Sequence, residues 1–292
     1  MTIGFIGAGK VGTTLAKYFK VNSSELRAYD SSFKVNGFYS LREGSKAYEA
    51  AQFTDTKCYL DLDEFLSECN VIFLTVPDGA ILDVAKDISK SPSFKDKILI
   101  HTSGALSSLV FSGISEGYSI HPMCAVASAT ESYKEFNRVF FSIEGTGDKL
   151  EYFKGVFNAL GNYVKIISPE SKSKYHLAAA MASNLVVGLY SIANEELKAC
   201  GFNDEEAQLA LANLFLGNAT KITEVGPIEA LTGPIERNDI GTVTKHLEAI
   251  EVKHRRAYVE LSKQVCEVAK QKHQERDYSE LEKLFDIWEE RL

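Results

Sequence analysis

Short apolar runs alternate with segments of helical period through the first half of the chain, and then the helical period continues alone. Thr2–Ile6 is an apolar run closed by glycines, and 10–19 follows with apolar residues at 11, 15, 16 and 19. Further strands are predicted at 71–76, Ile98–His101, 117–120 and 140–144, with helices at 45–52, 62–67, 80–89 and 107–111 between them. The run Val71-Ile72-Phe73-Leu74-Thr75-Val76 is almost wholly apolar, as a parallel strand covered on both faces must be. After Gly147 come a helix at 149–160, a last strand at 163–167, and then helices at 171–199, 204–216, 217–225, 226–231, 240–270 and 278–292. The fold class expected is α/β: a doubly wound, mostly parallel sheet at 1–147, followed by an all-helical domain at 148–292.

The 292 residues are enough for two cores, and 45% hydrophobic with 25% charged residues is an ordinary globular balance. A net charge of −8 argues against nucleic acid or an anionic membrane surface as partner. The longest apolar stretches, such as 71–76, are expected to be too short to span a bilayer, and Met1 leads almost directly into a strand, so a cytoplasmic protein is expected. Five scattered cysteines without CxxC spacing read as reduced thiols, and no metal site is expected.

The loop Gly7-Ala8-Gly9-Lys10-Val11-Gly12 follows an apolar strand and opens an amphipathic helix, the setting in which such a motif binds a dinucleotide. The first glycine serves the turn, the second the approach of the pyrophosphate, and the third the helix–strand packing. The residue that selects the nucleotide ends the second strand. A strand at 26–29 would place Asp30 on a ribose hydroxyl and favour NAD, whereas a strand at Lys34–Tyr39 would present Ser40 and Arg42 to a 2′-phosphate. The second reading leads straight into a helix and is preferred, so NADP (NADPH) is the expected cofactor; Lys46 is a further cation for the phosphate.

Ligands of doubly wound sheets lie beyond the carboxyl ends of the strands. Val76-Pro77-Asp78, His101-Thr102-Ser103-Gly104 and His121-Pro122-Met123 end three successive strands. Val76, Pro77 and Ser103 are read as cofactor contacts and His121 as a substrate contact. On the long helix Lys172, His176, Ala180 and Asn184 recur at four-residue spacing and share one face. His176 and Asn184 are candidates for polarising a carbonyl and delivering its proton. The turn Thr232-Gly233-Pro234-Ile235-Glu236-Arg237 offers Thr232, Gly233 and the Arg237 guanidinium to a carboxylate. Each residue has a plainer reading as an N-cap, a helix connection or a surface charge.

In order along the chain, Gly-Ala-Gly-Lys-Val-Gly, Gly-Phe-Tyr-Ser, Thr-Val-Pro-Asp, His-Thr-Ser-Gly-Ala-Leu, Ile-His-Pro-Met, Lys-x-x-Tyr-His…Ala-Ser-Asn and Thr-Gly-Pro-Ile-x-Arg span about 1–265. Together they resemble Rossmann-like oxidoreductases with a helical C-terminal domain, including the alternative-type ketopantoate reductases. More distantly, they resemble the NADP oxidoreductase and pyrroline-5-carboxylate reductase group. The resemblance implies NADPH-dependent reduction of 2-dehydropantoate to pantoate, a step toward coenzyme A. Related hydroxyacid dehydrogenases place a catalytic lysine four residues before an asparagine on this helix; that position here is Ala180. The acid role then passes to His176, or to Lys174 or Lys172. The alternatives are an imine reductase of the pyrroline-5-carboxylate type and a non-catalytic NADP-binding regulator. The partners expected are a small 2-oxo acid and, because the helical domain carries apolar faces, a second copy of the chain.

Overall fold

A computed structural model of the protein describes residues 1–291, and the chain divides into two compact units, Met1–Met181 and Ala182–Leu292. The division falls later than residue 147 because the last sheet strand and its helix pack with the first unit. The first unit is built on β1 (Thr2–Ile6), β2 (Lys34–Tyr39), β3 (Lys57–Tyr59), β4 (Val71–Leu74), β5 (Ile98–His101), β6 (Glu116–Pro122), β7 (Phe141–Gly145) and β8 (Val164–Ile166). They form one sheet in the order β3-β2-β1-β4-β5-β6-β7-β8, parallel except for the β6–β7 pair. The chain crosses over between β1 and β4, so the loops after these two strands open side by side at the point where the strand order reverses.

Alternation along β4 shows why the strands are apolar throughout. Val71 and Phe73 enter one core with Phe5, Phe19 and Phe141, while Ile72 and Leu74 enter a second core with Phe65, Ile81 and Phe111. Helices α1 (Lys10–Val21), α2 (Ser23–Tyr29), α3 (Lys46–Thr54), α4 (Leu62–Glu68), α5 (Ile81–Ile88) and α6 (Leu150–Ala159) surround the sheet. The preferred second strand is the one formed. The competing segment 26–29 lies in α2, where only Leu26 is buried. Asp30, the residue of the discarded NAD reading, instead accepts from the Met1 nitrogen at 2.9 Å and the Tyr152 hydroxyl at 2.5 Å, beside the first residue of β1. The segment expected to be helical at 107–111 is a 3₁₀ turn, Ser108–Phe111. The short edge strand β3 was not anticipated.

Other expectations for the helices are corrected. The stretch 171–199 is two helices, α7 (Lys172–Ala182) and α8 (Asn184–Ala199), because Ser183 leaves helical geometry (φ −126°, ψ −79°). The predicted segments 204–216, 217–225 and 226–231 merge into α9 (Asp204–Ala230), kinked at Gly226 (φ 80°) just before Pro227. The predicted helix 240–270 is α10 (Ile240–Ala249) and α11 (Val252–Lys272), separated where Ile250 is extended. The last helix, α12, is Ser279–Glu289; the end expected for it at Leu292 lies outside the described residues. Val243, Leu247, Val259, Leu281 and Phe285 of α10–α12 make the core of the second unit. By length and composition 169–199 is long and apolar enough to cross a membrane, contrary to the expectation that no stretch would be. Its first turn, however, is tied to the sheet through buried Lys172.

One backbone contact sets the register at the sheet's second strand. Between Ile3 and Gly4 the β1–β2 register shifts by a residue, leaving Asn36 in a bulge whose side chain donates to the Glu68 carbonyl. Gly37 follows at φ 148°, where an added Cβ would sit 1.8 Å from the Lys57 carbonyl oxygen. Gly37→Ala is therefore expected to lower the unfolding free energy by about 2–4 kcal/mol. The exposed Gly79, with open space around it, should tolerate alanine within roughly 0.5 kcal/mol. Urea unfolding followed by circular dichroism compares the two.

Candidate active site

The glycine loop is held by β4. Thr75 Oγ1 donates to the Gly7 carbonyl at 2.6 Å, and Thr75 N donates to the Ile6 carbonyl at 2.9 Å. Gly7 has φ 106°, and a Cβ there would lie 2.6 Å from the Thr75 backbone. A Cβ on Gly12 would lie 2.3 Å from Thr75 Oγ1. Both glycines are thus explained by the protein's own packing. Gly9 is not: it is exposed, and an added Cβ would meet only the Thr75 carbonyl oxygen, at 4.0 Å. Gly9 also stands at the N-terminus of α1, where no side chain caps the helix and no acidic residue occupies the first turn. Free N–H groups, a positive helix end and an open approach together fit a phosphate. Ala8, Lys10 and Val11 complete the loop, with Lys10 exposed.

Beyond the end of β2 a cavity of about 650 Å³ is lined by Ile6, Tyr39, Ser40, Leu41, Arg42 and Leu62, with Val84, Asp87 and Ile88 of α5. It is apolar on the Ile6, Leu62 and Val84 side and bordered by the Arg42 guanidinium, a combination suited to a purine nucleoside carrying an anionic substituent. Ser40 Oγ lies 2.7 Å from Ser45 Oγ and donates to the Arg42 carbonyl at 3.1 Å, so it folds the loop that presents Arg42. Lys46 is exposed at the start of α3.

A polar cluster gathers on β5 and β6 where α7 begins. Lys172, in the first turn of α7, is 1% exposed, and its Nζ donates to Ser119 Oγ at 2.6 Å. Burial lowers the Lys172 ammonium to about 8, against the opposing pull of the Glu144 and Asp78 carboxylates. His121 Nδ1 and the Tyr175 hydroxyl are 2.8 Å apart. Burial, with the neighbouring Lys172 and His176 also disfavouring a charge on the ring, lowers His121 to about 4, so near neutrality the ring is an uncharged hydrogen-bonding group. His101 is buried and is lowered to about 4 by the same two causes, burial first and then Lys172. Gly104 lies against two imidazoles: its added Cβ would fall 2.8 Å from His176 Nδ1 and 2.9 Å from His121 Nε2. Ser103 Oγ donates to Asp78 Oδ2 at 2.6 Å and accepts from the Ala105 and Leu106 nitrogens at 3.1 and 3.0 Å.

Of the residues expected from sequence, His121 and His176 come together around Gly104. Val76 sits beside the glycine loop, its nitrogen 2.8 Å from where a Gly7 Cβ would lie, while Pro77 is exposed at the start of the turn that follows. Ser103 shapes its own loop. Lys174 is exposed, because two residues along a helix turn the side chain to nearly the opposite face; Lys172 is the buried amine. Asn184 begins α8 in the second unit, and the break at Ser183 ends the four-residue phase that put it on one face with His176. Thr232, Gly233 and Arg237 also belong to the second unit, with Thr232 and Arg237 exposed. Sequence reasoning gave no role to Thr75, Tyr175, Ser119 or Glu144. Thr75 and Tyr175 stood inside noticed motifs, but Ser119 and Glu144 lie in strands with nothing local to mark them.

Comparison with known proteins places this geometry. Residues 1–123 match the model of a Rossmann-like domain, and 139–265 match that of a domain of unknown function, DUF2520. No curated protein matches the chain. Protein TM1727 from Thermotoga maritima is similar in structure, with a TM-score of 0.73 and 25% identity over 92% of this chain and 98% of that one. A Bacteroides fragilis protein provisionally assigned as an NADP oxidoreductase gives 0.65 and 25% over 91% and 98%. A pyrroline-5-carboxylate reductase from Coxiella burnetii gives 0.59 and 14% over 92% and 97%, a likeness of fold alone.

The two kinds of glycine separate in experiment. Gly9→Val is expected to leave the melting temperature within a degree or two and to weaken NADPH binding at least tenfold in a fluorescence titration. Gly12→Val should lower both, because its Cβ meets Thr75.

Proposed function

We propose that the chain is a Rossmann-type, NADPH-dependent oxidoreductase that reduces the ketone of a small 2-oxo acid, with 2-dehydropantoate as the specific candidate. The observation that carries the reading is Lys172: a buried amine on Ser119 of β6, with its ammonium lowered to about 8. The glycine loop, the uncapped start of α1 and the cavity at Ser40 and Arg42 are the groups to hold the dinucleotide, with Arg42 on a 2′-phosphate. Bound NADPH supplies the hydride. Lys172 then gives a proton to the forming alkoxide, which becomes the alcohol, and the neutral amine takes a proton back from water. Neutral His121, oriented by Tyr175, donates a hydrogen bond to the carbonyl oxygen, and Gly104 leaves room for that oxygen beside it.

The second reading is an imine reductase, supported by fold likeness to a pyrroline-5-carboxylate reductase. A C=N substrate arrives already protonated and asks little of a buried acid, so Lys172 favours the carbonyl. NADPH oxidation assayed on 2-dehydropantoate, other 2-oxo acids and pyrroline-5-carboxylate separates the two. Turnover of the imine alone would overturn the carbonyl reading, and NADPH binding without any turnover would mark a binding protein.

Lys172→Met is expected to lower kcat for 2-oxo acid reduction by about 10²–10⁴-fold with little change in NADPH affinity. The acid must carry its proton, so wild-type kcat should hold below about pH 8 and fall above it as Lys172 deprotonates. A second copy of the chain is proposed to cover the second unit's apolar surface, since Leu185, Val187, Leu209, Leu214 and Leu216 are each more than half exposed. Sedimentation velocity should give twice the chain mass, and charged substitutions at Leu209 and Leu214 should return it to one.

A further inference from the structure

Glu144 is an acid with no ion pair among the described residues. It lies in β7, is completely buried, and spends both oxygens on one residue, accepting from Ser108 N at 2.5 Å and Ser108 Oγ at 2.7 Å. In the antiparallel β6–β7 pair Glu144 stands directly opposite Ser119. Facing residues of such a pair project from the same side of the sheet. That side is opposite to Tyr118, Ile120 and Ile143, which enter the first core. Ser119 Oγ is also the atom that accepts the hydrogen bond from Lys172 Nζ. A buried ammonium and a buried carboxylate therefore flank one serine, in surroundings where a charge unbalanced by another is costly.

We propose that Glu144 is the positioning counter-charge that keeps the Lys172 amine protonated, and so sets the pH at which it stops delivering protons. The inference rests on the reductase reading only for its catalytic consequence; the pairing of charges is a property of the protein alone. The other titratable groups around the amine are Asp78 after β4, His101 of β5, His121 of β6, and Tyr175 and His176 on α7 itself. Both His101 and His121 are held neutral near pH 7, which leaves Glu144 and Asp78 as the charges that favour the ammonium. Asp78 is exposed and already accepts from Ser103, whereas Glu144 is walled in by the sheet.

The test is the titration of Lys172 in the intact protein, followed by NMR through lysine labelled with ¹³C at Cε and assigned by the signal missing from Lys172→Arg. Glu144→Gln keeps the shape and removes the charge. Its Lys172 midpoint is expected to fall by roughly one pH unit, a tenfold lower ratio of ammonium to amine at any given pH. Glu144→Asp, which retains the charge, should restore most of the shift and serves if the glutamine variant does not fold. Ser108→Ala removes one Glu144 hydrogen bond but no charge and should leave the midpoint in place. A midpoint unmoved in Glu144→Gln, or moved equally in Ser108→Ala, overturns the proposal. If 2-oxo acid reduction is confirmed, the alkaline fall of kcat must move down with the midpoint. If no substrate turns over, the reductase reading fails while the NMR result still decides the role of Glu144.

Discussion

Where β1 and β4 end side by side, Thr75 closes on Gly7 so tightly that neither Gly7 nor Gly12 has room for a side chain. This contact turns the chain out of β1 and starts α1 with its N-terminal N–H groups facing away from the sheet. It also sets the loop after β4 beside the glycine loop, at the reversal of strand order. Because the strands are buried on both faces, their interiors are committed to packing. The Thr75–Gly7 closure fixes where the ends of β1 and β4 open.

The second feature follows from the same constraint on burial. Lys172 enters from α7 and meets the sheet at Ser119, on the face where β6 and β7 also place Glu144. An ammonium buried in apolar surroundings gives up its proton unless something negative is near, and a carboxylate there must find donors. Ser108 supplies the donors to Glu144, and Ser119 separates it from the amine. His121 and Tyr175 complete a cluster in which Lys172 is the amine poised to exchange a proton near neutral pH.

The two units differ in how their apolar residues are used. The first packs its aromatics into two cores, one on each side of the sheet. In the second, α10 to α12 share a core, while α8 and α9 leave large apolar residues exposed along their length.

The periodicity of the sequence determined the alternating architecture and the strands at β1, β4 and β5, because a period of two or 3.6 is a local property. It also determined the glycine loop, since only glycine fits where a backbone must turn against another backbone. The preference for 34–39 over 26–29 was legible too, because a parallel strand needs a helix directly behind it. Tertiary structure alone decided what the polar residues do. Lys172 and Lys174 are indistinguishable as letters, and only docking of α7 on the sheet buries one and exposes the other. Ser119 and Glu144 become neighbours through strand pairing between residues 25 apart in the chain, which no local pattern encodes. The phase linking His176 to Asn184 was sound for a continuous helix and ended at Ser183, where the backbone leaves the helix without a proline or glycine to announce it.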